Sequence, residues 1–415
     1  MASSRNFYDA AVVGGGPVGS QVAFRLASMG FRTVVLEKKQ DLTGPVCCTG
    51  IVSTECVDYF DIPDSVIHRT ANGARILKPS GDDFSISRPK PQVAILNRPA
   101  FNMAWANRAQ GKGAEYRFCA EVTKIDTDKK SVTLQSLCRG EKQSVAARAI
   151  ILTTGFGSQM VDKAGLGGAA DFVMGAQAEV ATRDAHEIEV FLGAKTAPGF
   201  FGWLVPSAPG KALVGLLSRR SPPAYLRALL AKLAAEGKIM PTDSPFTYGG
   251  VTLKPLPKTR ADRLLVVGTA AGQVKPLTGG GIYFGLLAAD MAANTLNKCL
   301  LQDDLSADKL GSYQISWKRR LGRELRVGYW ARRIYELLNE GQIDRIAGIL
   351  ESSRLLSELE KSKELSFDWH ADVVTRIFDH RVIMKTLGTM KLPFGTKEND
   401  GNKAEAKKNV RRGKG

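Results

Sequence analysis

Cysteine and histidine are scarce in this chain and follow no pattern. The 415 residues include six cysteines without a repeated spacing and four histidines in four separate segments. This arrangement excludes a disulfide framework, and without a CxxC pair or a histidine cluster the sequence offers no ligand set for a metal ion. We therefore expect reduced thiols and no metal site.

Long apolar runs are absent as well. No stretch approaches the roughly 18 uninterrupted apolar residues that a membrane-spanning helix requires. The first six residues, Met1 to Asn6, lack the apolar core of a secretory signal. The sequence therefore predicts a cytoplasmic protein.

Acidic residues are in the minority, with 41 aspartates and glutamates against 58 lysines and arginines, and the formal net charge is +17. Such a field attracts anions: nucleotide phosphates, diphosphate substrates, nucleic acid or an anionic membrane surface. Motifs of the zinc-finger, RNP or basic-zipper type are absent, so nucleic acid is not expected as a partner.

A glycine-rich motif follows the first predicted strand. The apolar run Ala10–Val13 is typical of a buried parallel strand, and Gly14-Gly15-Gly16-Pro17-Val18-Gly19 after it fits G-x-G-x-x-G at the start of a helical pattern. In such motifs the first glycine permits a tight turn, the second lets a pyrophosphate approach the backbone, and the third allows close packing. Glu37, 18 residues after Gly19, stands where an acid binds a ribose hydroxyl. The motif predicts a dinucleotide site.

A second glycine-rich stretch indicates which dinucleotide is bound. Gly268–Gly272 follows another buried-strand pattern, and Pro276–Gly281 opens a helix. A cofactor that contacts both the N-terminal motif and this later stretch must be long, and FAD is such a cofactor. Gly279, Gly280 and Gly281 leave room for a flat ring, and the helix N-terminus favours an anionic reduced flavin.

Further segments make the sequence similar to the geranylgeranyl reductase family, flavoproteins of the p-hydroxybenzoate-hydroxylase-like fold. The similarity covers most of residues 8–390. The motif Pro198-Gly199-Phe200-Phe201-Gly202-Trp203-Leu204-Val205-Pro206 resembles the family's P-x-x-Y-x-W-x-F-P substrate motif, with Phe201 in the tyrosine position and Val205 in the phenylalanine position. The other matching segments are the N-terminal glycine motif, Cys48–Ser53, Leu96–Phe101 and Gly272–Gly281.

The resemblance implies an enzyme that saturates carbon–carbon double bonds of a polyprenyl chain attached to lipid, diphosphate or quinone, with hydride from reduced FAD. It makes Cys48 the candidate catalytic residue, as a proton donor or as part of the pocket wall. Phe201 and Trp203 face the same side of a strand and, with Pro198 and Pro206, form the expected substrate site. The expected FAD contacts are Gly14, Gly16, Pro17, Gly19, Glu37, Lys38, Arg98, Val122, Gly155, Thr269, Gly279, Gly280, Gly281 and Ile282.

Two positions depart from the family pattern. Thr269 stands where related flavoproteins carry an aspartate, but its hydroxyl can still hydrogen-bond to the cofactor. Residues 153–158 replace the Asp-Gly motif of the wider superfamily, and no second G-x-G-x-x-G domain is present. The electron donor is therefore left open between NAD(P)H and a carrier protein such as ferredoxin.

The predicted fold class is α/β, with a Rossmann-type FAD-binding domain interleaved with a β-sheet substrate domain and followed by a helical C-terminal region. We assign residues 1–60, 90–170 and 256–300 to the FAD-binding domain, 61–89 and 171–255 to the substrate domain, 301–395 to the helical domain and 396–415 to a disordered basic tail.

Residues 317–335 hold seven basic side chains against one acidic side chain, with tryptophan, tyrosine and leucine between them. Two interpretations remain. The segment is either a solvated helix face or a basic surface for membrane headgroups or diphosphate, which would suit a lipid-borne substrate and peripheral membrane contact.

Two other functions share this fold and stay open on the sequence alone. One is a flavin-dependent monooxygenase or halogenase, although the Asp-Gly motif and the tryptophan-rich halogenase signature are missing. The other is a non-catalytic escort that binds prenyl groups without using flavin.

Overall fold

The computed structural model describes residues 7–183, 185–352 and 366–379. The described strands are β1 Phe7–Val13, β2 Thr33–Leu36, β3 Ile51–Ser53, β4 Ile67–Ala71, β5 Gly73–Leu77, β6 Asp83–Ser87, β7 Val93–Leu96, β8 Glu115–Arg117, β9 Glu121–Thr127, β10 Val132–Cys138, β11 Glu141–Leu152, β12 Phe172–Ala181, β13 Ile188–Phe191, β14 Gly202–Pro206, β15 Lys211–Ser218, β16 Thr247–Thr252, β17 Arg260–Ala261 and β18 Leu264–Val266. The described α-helices are α1 Pro17–Ser28, α2 Thr54–Phe60, α3 Arg98–Gln110, α4 Met160–Lys163, α5 Pro222–Ala235, α6 Ile282–Leu301, α7 Ala307–Leu337, α8 Glu340–Ser352 and α9 Ala371–Asp379.

A parallel sheet carries the N-terminal glycine motif. Its central strands run in the order β18-β11-β1-β2-β8, with β17 antiparallel at one edge and the β9–β10 hairpin attached to β11. Core clusters cover both faces, and α1, α3 and α6 contribute to one of them. Burial on both faces explains why β1 and β2 are continuous apolar runs. This arrangement confirms the predicted Rossmann-type unit.

A second sheet has seven strands in the order β16-β12-β15-β14-β13-β5-β6. Its neighbours are antiparallel except for the parallel pair β13 and β5, which brings residues from 73 to 87 into the sheet formed by residues 172–252. Helix α5 covers one face with an apolar stripe of leucines. The opposite face is turned toward the small sheet β3-β7-β4.

The C-terminal region is helical, as predicted, where the structure describes it. Helix α7 packs against α6 through the main core, and α9 packs against α7. Among the described residues, no helix is both long and apolar enough to cross a membrane. The predicted disordered tail, residues 396–415, lies outside the described residues.

Candidate active site

The N-terminal glycine motif forms a tight turn at the carboxyl end of β1. Gly14 has a φ of 104°, which favours glycine, and a Cβ atom at Gly19 would lie 1.9 Å from the Gly14 carbonyl oxygen. Beside Gly16, in contrast, a Cβ atom would meet nothing within 4 Å. Helix α1 begins at Pro17, so the amides of its first turn border this open space and suit a phosphate group.

Glu37 follows β2 and lies beside this turn. Its buried carboxylate accepts hydrogen bonds from the Gly15 amide at 2.7 Å and the Lys39 amide at 2.9 Å. These donors fix the carboxylate at the carboxyl end of β2, the position from which an acidic side chain binds ribose hydroxyls in dinucleotide-binding folds. Lys38, the next predicted contact, is exposed.

Arg98 begins helix α3 and is buried, with 9% of its surface exposed. Its Nη2 atom donates to Asn102 at 3.1 Å, whereas its Nε and Nη1 atoms have no hydrogen-bond partner among the described residues. The buried hydroxyls of Thr154 and Thr278 also lack a partner within that part of the chain. A buried guanidinium with open donors is costly unless an anion binds it. These groups therefore fit an anionic dinucleotide such as FAD.

The second glycine-rich stretch lies at the start of helix α6. Gly279 has a φ of 75°, and no side chain caps the N-terminus of α6. A Cβ atom at Gly281 would lie 3.5 Å from the Thr269 hydroxyl oxygen, so the predicted contacts Thr269 and Gly281 are neighbours. The uncapped amides place the positive end of a long helix dipole at this loop.

The remaining predicted cofactor contacts, Gly155 and Val122, lie in different surroundings. Gly155, with a φ of 71°, follows β11, and a Cβ atom there would meet nothing within 4 Å. Val122 packs its side chain into the core cluster on the far face of the parallel sheet. Their contact with FAD stays a prediction.

A largely apolar cavity of about 390 Å³ lies between the seven-stranded sheet, the small sheet and the glycine loop before α6. It brings together several predicted residues from distant parts of the chain, namely Cys48, Phe201, Trp203, Gly279, Gly280, Gly281 and Ile282. Sequence reasoning did not assign the other wall residues, which include Ile51, Val93, Ile188, Val190, Leu217, Val251, Phe367 and His370.

The aromatic motif forms one wall of this cavity. The rings of Phe201 and Trp203 lie 6.3 Å apart in an edge-to-face arrangement, and both border the cavity. Their contact with substrate stays a prediction. Gly215 on β15 makes room for the indole, because a Cβ atom there would lie 2.6 Å from the Trp203 ring. The buried ring of Phe200 instead stacks under the Arg332 guanidinium, 3.6 Å away.

Pro198 and Pro206 lie outside the cavity lining. The Pro198 carbonyl accepts hydrogen bonds from the Arg219 amide and the Ser218 hydroxyl. Pro206 ends β14 and follows Leu204 on the strand face opposite Trp203. The structure thus gives these two residues positions that shape the strand, and their role in substrate binding stays a prediction.

The two adjacent cysteines both border the cavity but differ in environment. The Cys48 sulfur accepts a long hydrogen bond from the Gly50 amide at 3.4 Å. The Cys47 side chain packs against Gly249 of the seven-stranded sheet, and burial raises the pKa of its thiol to about 12. Burial therefore makes the Cys47 thiol a weaker acid than an exposed thiol. The catalytic role of Cys48 stays a prediction.

A buried ion pair between Lys275 and Asp368 supports the glycine loop. No pattern in the sequence indicated this pair. The Lys275 ammonium lies 2.6 Å from the Asp368 carboxylate and donates to the Phe367 carbonyl at 2.9 Å. The two side chains are 5% and 1% exposed. The pair holds the segment that carries Phe367 and His370 against the cavity. Burial, together with the Lys275 charge, lowers the pKa of His370 to about 3.

Comparison with known proteins agrees with this architecture. Residues 8–190 match the family model described as pyridine nucleotide-disulphide oxidoreductase. A digeranylgeranylglycerophospholipid reductase from Methanocaldococcus jannaschii is 30% identical over 372 residues, which cover 85% of this chain and 93% of the relative. The chain belongs to the geranylgeranyl reductase family.

Solved structures show the same fold. A geranylgeranyl bacteriochlorophyll reductase-like protein from Thermoplasma acidophilum superposes with a TM-score of 0.81 at 23% identity, over 92% of this chain and 98% of the other. A p-nitrophenol 4-monooxygenase from Pseudomonas putida gives a TM-score of 0.70 at 18% identity, over 92% and 98% of the two chains. The fold is therefore shared with an enzyme named for a different activity, so the function of this family member must be argued from its site.

Proposed function

We propose that this protein is an FAD-dependent reductase that saturates carbon–carbon double bonds of a polyprenyl chain carried by a lipid, a diphosphate or a quinone. The observation that carries the proposal is the apolar cavity, which has the glycine loop before α6 on one side and Phe201 and Trp203 on the other. An isolated alkene has no polar handle, so such a substrate is held by apolar area and shape. The curated relative from Methanocaldococcus jannaschii carries the name of a reductase of a prenyl lipid.

Each part of the cavity has a task in this reaction. FAD in its reduced form supplies the hydride. The apolar walls exclude water, and the uncapped amides of α6 favour negative charge beside the glycine loop. Both cysteines border the cavity, and we assign the proton to Cys48 because Cys47 packs against Gly249 and burial raises the pKa of its thiol, which makes Cys47 a weak acid.

The same proposal includes contact with the surface of a membrane that contains the substrate. Helix α7 exposes basic side chains at Lys318, Arg319, Arg323 and Arg326 on one stretch of its surface. Positive charge of this kind attracts anionic headgroups without insertion of the helix. The electron donor, NAD(P)H or a carrier protein, is to be identified by offering each to the oxidised enzyme without oxygen.

The test is an anaerobic titration of the purified protein followed by its visible spectrum. Dithionite is added until the flavin bands bleach, and a geranylgeranylated lipid or diphosphate is then supplied. We expect the oxidised bands to return, because the alkene accepts the electrons, and mass spectrometry to find a product heavier by two hydrogens per reduced bond.

Other outcomes distinguish the alternatives. Bands that bleach and stay bleached with every prenyl compound would contradict the proposed substrate class. Oxygen consumption with a phenol and a pyridine nucleotide would indicate a monooxygenase. A protein without flavin bands, even after FAD is supplied, would be an escort and no reductase.

A further inference from the structure

A lysine ammonium lies against the glycine loop before α6, and the proposed reaction does not yet use its charge. Lys275 belongs to this loop, since its amide donates to the Gly280 carbonyl at 3.0 Å and its carbonyl accepts from the Gly279 amide at 2.8 Å. A Cβ atom at Gly280 would lie 2.7 Å from Cε and 3.2 Å from Nζ of Lys275. The side chain therefore turns back onto its own loop and places its charge beside Gly280.

This ammonium is buried. Lys275 is 4% exposed, and besides its ion pair with Asp368 it donates to the Phe367 carbonyl at 2.9 Å. Its Nζ atom also lies 4.1 Å from the centre of the Phe367 ring. Salt and water screen a buried charge much less than an exposed one, so the charge of Lys275 acts over a longer distance than that of a surface lysine.

The counter-charge is farther from the loop. The Asp368 carboxylate lies 2.6 Å from Nζ of Lys275, and its Oδ2 atom has no hydrogen-bond partner among the described residues. After the two Lys275 atoms, the atom nearest to a Cβ at Gly280 is the Thr278 hydroxyl oxygen at 3.5 Å. The carboxylate is therefore more distant from that point than the ammonium is. Of the two charges, the positive one acts more strongly at the loop.

The charge of Lys275 is also felt at the cavity wall. His370 borders the apolar cavity, and the Lys275 charge is the second cause, after burial, that lowers the pKa of its imidazole. Gly279, Gly280 and Gly281 border the same cavity. A flat ring on the cavity side of this loop would therefore lie within reach of the charge.

We infer that Lys275 favours the reduced, anionic form of the bound flavin and that Asp368 limits this effect. The inference rests on the FAD site of the proposed function and adds the residues that adjust the reduction equilibrium of the cofactor. A positive charge near the ring stabilises the form that carries more negative charge. The limit set by Asp368 matters, because a flavin that holds its electrons too tightly gives hydride to an alkene less readily.

The test measures the reduction equilibrium of bound FAD by anaerobic equilibration with a redox dye of known potential. We expect Lys275→Met to shift the equilibrium toward oxidised flavin by ~10-fold, which equals about 30 mV for a two-electron couple. Asp368→Asn should shift it in the opposite direction, because the charge of Lys275 is then unbalanced. The double variant should lie between the two single variants.

Opposite directions distinguish an effect of charge from a loss of structure. A loop that loses its order would shift the equilibrium the same way in both single variants, so equal directions would overturn the inference. Two unchanged equilibria would overturn it as well.

Lys238→Met is the matched control. Lys238 forms an ion pair of the same length, 2.6 Å, with Glu189, and it contacts Phe191 in the core cluster under α5. This variant should keep the wild-type equilibrium, and a shift as large as that of Lys275→Met would contradict a local effect at the glycine loop.

The measurement needs no alkene, so it stays decisive if the proposed substrate class is wrong. A protein that binds no FAD would refute both the proposed function and this inference. Bound FAD with the same equilibrium in every variant would refute the inference alone.

Discussion

Arg98 offers the sharpest test of the cofactor site at the scale of one residue. Its guanidinium is buried with two open donors, a state that an anionic cofactor stabilises. We expect Arg98→Gln to weaken FAD binding by ~10-fold or more, measured by quenching of flavin fluorescence. Arg108→Gln, farther along the same helix and bonded to the Phe60 carbonyl, is the control and should keep its affinity. Equal affinities in all three proteins would remove Arg98 from the FAD site.

The cysteine pair gives a second prediction at this scale. Cys48→Ser should lower the rate of alkene reduction by ~10²-fold, within the usual range for loss of a general acid, and leave FAD binding intact. Cys47→Ser should have the smaller effect, because that thiol is buried against Gly249. The readout is the rate at which oxidised flavin bands return. A normal rate in the Cys48→Ser enzyme would mean that water or another group supplies the proton to the substrate.

Single residues also show where the sequence stops being informative. The turn at Gly14 and the acid Glu37 could be predicted because the dinucleotide motif fixes their residue types and their spacing along the chain. The cavity wall at Ile188 and Val190 could not be predicted. An apolar residue on a strand gives the same sequence pattern whether its side chain packs in a core or contacts a ligand.

At the scale of elements, Lys275 and Asp368 join the glycine loop to the segment before α9. Removal of one partner leaves an uncompensated buried charge, which costs about 3–5 kcal/mol, whereas removal of both costs less. We expect faster hydrogen exchange over Phe367–His370 in Lys275→Met and in Asp368→Leu than in the double variant. Lys232→Met breaks an exposed pair on α5 and should change nothing. Similar exchange in the single variants and wild type would mean that the pair does not hold the segment.

Elements with local signals were predicted well. Helix α1 ends at Ser28 and Gly30 has a φ of 86°, as expected for a helix that stops at a glycine. Helix α5, Pro222–Ala235, buries Leu226, Leu229, Leu230 and Leu233, and this spacing of apolar residues is a helical signal in the sequence. The parallel pair β5 and β13 joins segments more than a hundred residues apart, and the sequence pattern holds no information on such pairing.

The stability of the whole molecule should depend on pH through His370. Its pKa is lowered from 6.5 to about 3 in the folded protein, so the unfolded chain takes up the proton first on acidification. This contribution to stability is complete above about pH 6.5 and is lost as the pH falls toward 3. We expect the thermal midpoint of His370→Gln to fall less steeply between pH 6.5 and 4 than that of wild type. The exposed His186→Gln is the control, and parallel slopes in all three proteins would contradict a neutral His370.

The net charge of +17 is a property of the whole molecule, and it should attract the protein to an anionic membrane surface. Trp317, Leu321 and Leu325 of α7 are buried in the core, whereas Ile315 and Trp330 are exposed on the same helix. The charge of α7 can therefore be tested separately from these two apolar side chains. Exposed Arg319 and Arg326 should each contribute about 1 kcal/mol to binding of anionic vesicles. We expect the double glutamine variant to bind phosphatidylserine-containing vesicles more weakly in a sedimentation assay, and salt to abolish the difference.

The matched control for this experiment removes two charges from the exposed β10–β11 hairpin, with Arg139→Gln and Lys142→Gln. If both double variants lose the same affinity, the net charge of the protein drives binding and α7 has no special part. A loss confined to the α7 variant would place the basic helix at the lipid surface. Vesicles of phosphatidylcholine alone should bind none of the proteins, because the contact depends on charge. Binding to those vesicles would instead indicate an apolar contact, for which Ile315 and Trp330 are the exposed side chains on α7.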